Sequence, residues 1–404
     1  MFSSRSRCSP KRADTGSTSR ESSGMGFDIF NSKARAQKAA NREFLLACEE
    51  GDWPAASRQL ERGAQIEARD DNGDTALILA STAGQALIVR KLVEAGAEIE
   101  ARNKNGETAL WRAASAGAVA VVRELLGRNA FVDAADQPGM TPLGAALAGW
   151  HYEAARLLVE SKANVDARVH GNSLLAHAAA KGHAEFVKLL IDAGADAGVP
   201  GKSRRTPLIA AAGDGNTGLV ALLLGARDCG LNTRDGDNWT ALAHAVNGGH
   251  QDVVRQLLDA GAEVETTAEG GLSPFSQAVA EGHTEIMEML WRHGANIDKR
   301  DDDGDTPLHV AISSENGEAV RLLLQWGASL HIRDSESQTA VVLAESSGEE
   351  IEKMVSGEVQ RRSRGGTPLL PPAADQKPAG ESPAAPAAAA NENGNPPVKK
   401  QFRL

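Results

Sequence analysis

Several groups of residues in this chain have types and spacings that could do chemistry. Gly213-Asp214-Gly215-Asn216-Thr217-Gly218 spells GxGxxG, the spacing that lets a backbone approach a dinucleotide pyrophosphate. That chemistry needs a strand before the glycines and a helix after them, whereas Leu208 to Ala212 reads as a helix, so no cofactor is expected. Asp301-Asp302-Asp303-Gly304-Asp305 resembles the opening of a calcium loop, but its glycine is misplaced and Ile312 stands where the loop needs its Glu. His151, His183, His250 and His283 occupy one position of a repeating pattern, which spreads them along the molecule instead of converging them on a metal. Their expected role is hydrogen bonding to an adjacent loop. No Ser-His-Asp or Cys-His set stands out, so neither catalytic residues nor enzyme activity is expected.

Cys8, Cys48 and Cys229 lie far apart with no CxxC pair, which fits a reducing compartment and neither a disulfide framework nor a zinc site. No apolar run reaches the ~18 residues of a membrane span, and the N-terminus lacks a secretory signal. The expected location is cytoplasmic, without membrane insertion. Of the 404 residues, 41% are apolar but only 4% aromatic, so the core must be built from Ala, Leu, Val and Ile. Residues 42–357 hold 28 Lys/Arg against 47 Asp/Glu, an acidic body that repels phosphate backbones and argues against nucleic acid as a partner.

The elements that position these side chains follow from a recurring phrase: Thr75-Ala-Leu, Thr108-Ala-Leu, Thr141-Pro-Leu, Ser173-Leu-Leu, Thr206-Pro-Leu, Thr240-Ala-Leu, Ser273-Pro-Phe, Thr306-Pro-Leu and Thr339-Ala-Val. The steps are 33 residues apart except for one of 32 and one of 34, and stepping back from Thr75 reaches a tenth unit at Arg42. Five positions after each start stands an alanine, from Ala47 and Ala80 through Ala311 and Ala344. Thr or Ser is a good N-cap, and Pro suits the first helical turn because its missing N–H would have no helical partner. One short helix therefore begins at each start. It turns near glycines such as Gly84 and Gly117, and a second helix runs to residues such as Gly63 and Gly96. The segment leading to the next start is polar and turn-rich, as in Asp71-Asn72-Gly73, and reads as a hairpin. A single pair cannot bury its apolar face, and stacking at the alanine column would form a shared core.

The period, together with Thr306-Pro307-Leu308-His309, resembles the ankyrin-repeat family over residues 42–357. The resemblance implies an all-α solenoid of about ten helix-turn-helix units with projecting β-hairpin loops, capping repeats at both ends and disordered tails. Trp150 and Glu315 replace the inter-helix glycine, and Asn129, Lys162 and Arg227 replace the terminal one, so the middle of the stack is the less regular part.

The flanks differ in composition. Residues 1–41 form a basic, Ser/Arg-rich segment, with either Met1 or Met25 as a plausible start. Residues 358–404 are rich in Pro and Ala, a composition that cannot form a packed core. Pro368-Leu369-Leu370-Pro371 matches a PxxP motif, and Lys399 to Leu404 could offer a terminal carboxylate.

The resemblance also implies a groove, lined by hairpin tips and first helices, that binds protein, with specificity carried by the variable positions. Trp111, Met140, Arg205, Trp239 and Leu272 are candidate anchors of the kind that dominate interface energy. Trp239 and Leu272 have a second reading, as covers over neighbouring hairpins. Arg69, Arg102, Arg234, Arg300 and Arg333 recur six positions before a start. They could form a basic ladder in the groove, or pair locally with the acids that follow them, such as Asp70 and Asp301. The expected function is a monomeric adaptor or scaffold binding a protein through repeats three to seven. A regulatory or inhibitory subunit of an enzyme and a bacterial effector acting on host proteins stand as alternatives.

Overall fold

The computed structural model describes residues 22–268 and 270–367, the side chains from residue 33 onward. Cys8, the PxxP motif and the chain's last residues lie outside them. The chain divides after Ala262 into two compact units.

In the first unit, helix pairs follow one another in chain order. They are α1 (Ser22–Glu50) with α2 (Trp53–Glu61), α3 (Ala76–Thr82) with α4 (Ala86–Glu94), and α5 (Ala109–Ser115) with α6 (Val119–Gly127). Next come α7 (Pro142–Ala148) with α8 (Tyr152–Glu160), and α9 (Leu174–Ala180) with α10 (Ala184–Asp192). The last are α11 (Pro207–Gly213) with α12 (Thr217–Leu224), and α13 (Ala241–Asn247) with α14 (Gln251–Asp259). First helices pack on first helices and second on second from one repeat to the next. The second unit repeats the plan with α15 (Pro274–Ala280) and α16 (Thr284–Arg292), α17 (Pro307–Ser313) and α18 (Gly317–Trp326), and α19 (Ala340–Glu345) and α20 (Glu349–Ser363). Ten helix pairs are thus present among the described residues.

The starts act as caps. Thr75 Oγ1 accepts from the Ile78 N–H, and Thr108, Thr141, Thr206 and Thr240 repeat the arrangement. All ten column alanines are buried, and those from Ala80 through Ala311 have no accessible surface. A larger side chain in this column would force the helices apart, because close-packed interiors hold few voids larger than a water molecule.

Two boundaries are corrected. Helix α1 starts at Ser22, inside the segment read as an N-terminal tail, and passes Arg42 without a break. Arg42 offers no hydroxyl to cap a helix there, so nothing in the sequence stops the helix from beginning earlier. Residues ahead of position 42 belong to the first repeat's packing: Ala40 is buried and Gln37 Nε2 donates at 3.1 Å to the carbonyl of Gly63, just past the end of α2. At the other end, α20 continues through Ser363, past the boundary drawn at residue 357. Arg362 holds it there, donating from Nη1 to the Ala328 carbonyl at 2.8 Å and from Nη2 to the Leu324 carbonyl at 3.2 Å.

The hairpin loops carry little regular strand. Among the described residues only β1 (Arg168–Val169) and β2 (Asn172–Ser173) form a ladder, with isolated bridges at Arg69–Thr75 and Arg333–Thr339. Most loops, though not those at Gly201 and Ala268, close on an Asp or Asn side chain. Asp70 Oδ1 accepts from the N–H groups of Asn72 and Asp74, both at 2.8 Å, and Asp301 Oδ1 does the same for Asp303 and Asp305. A side chain that satisfies two backbone donors stands in for a strand partner. The same bonds occupy the acidic run that resembled a calcium loop.

Candidate protein-binding surface

The surface on which a partner could act is built by the hairpins and the exposed positions of the first helices, and it differs along the first unit. In repeats two and three the polar side chains hold the framework. Arg69 Nη1 donates to the Gly73 carbonyl at 2.9 Å and to the Arg102 carbonyl of the next repeat at 2.6 Å. Arg102 Nη1 does likewise with Gly106 at 2.7 Å and Ala135 at 2.6 Å. In the second unit Arg300 Nε donates to the Gly304 carbonyl at 3.0 Å and Arg333 Nη1 to Ser337 at 3.0 Å. These arginines are neither free rungs nor ion-paired with the following acid, as the two sequence readings had it. Each is a tie to backbone carbonyls, because the following Asp or Asn turns inward to its own loop. Arg234 is half-buried and also interacts with other residues.

Buried Asn103 is the hub of the front hairpins. Its Nδ2 donates to Asp74 Oδ1 at 2.7 Å and to Glu107 Oε2 at 2.6 Å, while its Oδ1 accepts from the backbone N–H groups of Asn105 and Glu107. Trp111 belongs to this framework too. It is 9% exposed, and its Nε1–H donates to the Met140 carbonyl at 2.9 Å. The expectation that Trp111 stands in the groove is corrected: it lies at the start of a first helix, under the next hairpin. Met140 itself is half-buried, with its Asp136 carboxylate accepting from its N–H at 2.7 Å.

Repeats six and seven are arranged otherwise. Arg205 is exposed, at the end of a turn in which Ser203 and Arg204 both take left-handed backbone conformations, with φ of 55° and 57°. The Gly201 N–H to Arg205 carbonyl bond at 2.8 Å and the Gly236 N–H to Ser203 carbonyl bond at 2.7 Å hold that turn. The Arg205 guanidinium reaches the next repeat, where Nη2 lies 3.3 Å from His244 Nδ1. His244 Nε2 lies 2.7 Å from Asp235 Oδ2. An arginine has no acceptor, so His244 must accept at Nδ1 and donate from Nε2, and this one tautomer serves both neighbours. Burial acts to raise the Asp235 carboxyl, but bonds from His244 and from the Trp239 and Asp237 N–H groups outweigh it and hold the group below the ordinary carboxylate value. The half-buried Trp239 ring stands 5.1 Å from the His244 ring, centroid to centroid. Gly213, at the end of α11, borders this cluster: a Cβ there would meet Arg205 Nη2 at 3.5 Å and the His244 side chain at 3.7 Å, both ordinary contacts. The glycines once readable as a dinucleotide loop therefore span the turn from α11 to α12, with no strand before them.

Met140, Arg205 and Trp239 all lie on the hairpins of the first unit, and Arg205 and Trp239 belong to one cluster. Leu272 is half-buried in the second unit, its carbonyl accepting from the Ala268 N–H at 3.0 Å. Sequence reasoning missed His244, as it missed Arg112 and His177, which share its place four residues after a start. A variable polar residue at that place, between the buried third and sixth positions, was the signal available.

A second cluster sits on repeats four and five. Trp150 occupies the inter-helix turn at φ 57°, where most repeats have glycine. Its ring stacks on His183 at 3.7 Å and on His177 at 5.5 Å, with Phe186 edge-on at 5.6 Å. Burial, then the charges of His170, Lys181 and His183, push the His177 ring below the usual histidine range. Of the other repeat histidines, His250 meets the expected role, its Nε2 lying 3.0 Å from the Gly213 carbonyl.

With this geometry in place, the comparisons with known proteins are specific. Residues 44–136, 131–200, 175–268 and 265–334 match the family model for ankyrin repeats in three copies. A stretch of 79 residues is 34% identical to the 26S proteasome non-ATPase regulatory subunit 10 of Dictyostelium discoideum. The match takes in 20% of this chain and 34% of that protein, so it spans about a third of the relative's length. The crystal structure of the ankyrin repeat domain of Bcl-3, a unique member of the IkappaB protein family, aligns with a TM-score of 0.50 and 26% identity, over 54% of this chain and 99% of that one. The family matches together run from residue 44 to residue 334, most of the chain, with the capped helix pairs and buried alanines described above: this chain belongs to the ankyrin-repeat family.

Proposed function

We propose that this protein is a non-catalytic adaptor that binds an extended segment of a partner protein on the hairpins and first helices of its middle repeats. The observation that carries the reading is the cluster of Arg205, Asp235, Trp239 and His244, in which a buried carboxylate orients a histidine and an exposed guanidinium beside an aromatic ring. Arginine and tryptophan at the centre of a surface are the residue types that concentrate binding energy. Ankyrin repeats serve generally in protein recognition, which supports the same reading. In it the protein acts as a cytoplasmic monomer, without cofactor, nucleic acid or membrane insertion.

A second reading, a regulatory subunit of a larger assembly, is favoured by the similarity to a proteasome regulatory subunit over 79 residues. The two readings share the surface and differ in whether the captured partner is an enzyme whose rate changes on binding.

Affinity capture with mass spectrometry tests the proposal, comparing the intact chain with the triple variant Met140→Glu, Trp239→Glu, Leu272→Glu, shown by circular dichroism to stay folded. The expected result is a protein partner held by the first and lost by the second. Capture that is unchanged by the substitutions overturns the assignment of this surface.

A further inference from the structure

The Arg205 cluster contains more organisation than a general contact surface needs. We infer that it is a carboxylate-reading subsite: an Asp or Glu side chain of the partner segment docks on the Arg205 guanidinium while a neighbouring apolar side chain packs on Trp239. The inference rests on the reading of this surface as partner-binding and adds the chemistry of the segment it takes.

The guanidinium is fixed on one edge only. His244 Nδ1 receives Nη2 at 3.3 Å, and Asp235 Oδ2 stands 4.0 Å from Nε. The Nη1 group has no hydrogen bond among the described residues, and the Arg205 side chain keeps 46% of its surface exposed. A planar fork with one edge held and the other presented matches a carboxylate with two parallel hydrogen bonds. The Asp235 charge does not already satisfy the site, because its side chain is 3% exposed and its oxygens are taken up by His244 and by the Trp239 and Asp237 N–H groups.

The surroundings favour the same occupant. Lys202 and Arg204 are exposed on the same turn as Arg205, so every charge on the turn is positive, within a repeat body that is strongly acidic overall. Two acids on the neighbouring segments, Asp214 after α11 and Asp237 on the Asp235 loop, are exposed to solvent. Two consecutive left-handed residues, Ser203 and Arg204, shape this turn, and such strain persists where the surroundings impose a geometry that presents particular side chains. Beside the guanidinium the half-buried Trp239 ring offers an apolar face, which gives the pair two different demands on adjacent residues of one segment.

The test uses the full chain and an array of short peptides in which one position is Glu, Gln, Lys or phosphoserine and its neighbour is Leu or Ala. The Glu-Leu peptide should be retained about tenfold more strongly than the Gln-Leu peptide, as a lost charge-assisted bond predicts. That preference should flatten in Arg205→Gln and weaken in His244→Leu, which leaves the guanidinium unoriented. Retention governed by Leu alone and lost in Trp239→Glu overturns the carboxylate subsite while leaving the partner-binding surface standing. A preference for Lys or phosphoserine, a Glu preference that survives Arg205→Gln, or no retention of the Glu-Leu peptide also overturns it.

Discussion

Repeats two and three contrast with repeats six and seven of the same unit. In the former, each hairpin has an Arg that bridges to the next hairpin and an Asp or Asn that folds the loop, and Asn103 joins Asp74 to Glu107. Repeat seven keeps Asp235 to fold its loop, but in repeat six Gly201 stands where the loop-folding Asp or Asn belongs and Pro200 stands where the bridging Arg belongs. The turn closes instead through backbone bonds and strained residues, and Lys202, Arg204 and Arg205 face solvent. The difference teaches that a regular repeat uses up its polar side chains in its own framework, whereas an irregular one leaves them to be presented.

The contrast breaks or sharpens most clearly at Asn103. Replacing Asn103 with Ala leaves two buried carboxylates without their shared donor, and we expect a loss of about 2–4 kcal/mol in urea unfolding followed by circular dichroism. Partner capture at a concentration where the variant is folded should be unchanged. An Asn103→Ala variant as stable as the parent would remove the framework role from the front hairpins.

Arg205→Gln is the complementary change. Its stability should stay within about 0.5 kcal/mol of the parent, since it removes an exposed group from a surface cluster. A large loss of stability would make Arg205 another framework arginine and erase the contrast.

Lys162 occupies the terminal glycine position with φ 66° and is exposed. Lys162→Gly relieves the left-handed penalty but makes the unfolded chain freer, so the net expected gain is small, about 0.5 kcal/mol in the urea midpoint. A loss would mean that the lysine side chain supports the irregular middle.

Titration separates two acids of opposite character. The folded Asp235 carboxyl lies below its ordinary value of 3.8, so its contribution is complete above that value and is lost as pH falls through the lower, folded one. Asp235→Asn should remove that acid step and lower stability at neutral pH. Asp305, in the second unit, is raised, first by burial and then by the Asp301 charge. Its penalty sets in as pH rises through the ordinary value and is complete above the raised one, so Asp305→Asn should flatten that step and slightly stabilise its unit at neutral pH. The stacked Trp291 and Trp326 rings, 4.5 Å apart in the second unit, give a fluorescence signal for that measurement.

The smallest effect concerns Cys48, whose thiol burial pushes up to about 12. It should react with a thiol reagent only as fast as the first repeats open, while Cys229, which is half-buried, reacts sooner. Immediate labelling of Cys48 in the native chain would contradict the packing of α1.

Much of this fold was legible because repetition turns weak local preferences into columns. Thr and Ser starts gave the caps, the alanine column gave the stacking face, and glycines such as Gly96 gave the left-handed turns. The candidate surface was half legible. Arg205 and Trp239 stood out as residue types foreign to their column, but Trp111 stood out equally and proved buried. Sequence position alone could not tell a ring aimed outward from one whose N–H is held by the carbonyl of Met140, 29 residues on.

What the sequence determined by itself was therefore everything set by local periodicity: the helix pairs, their caps, the shared alanine face and the irregular middle. The tertiary structure decided what depends on neighbours a full repeat away. It turned Arg69, Arg102, Arg300 and Arg333 into ties to backbone carbonyls, extended α1 and α20 past their sequence boundaries, and brought Arg205, Asp235 and His244 together from two repeats. The physical reason is that a hydrogen bond depends on distance and direction in space, and residues 30 to 39 positions apart acquire both only when the repeats stack.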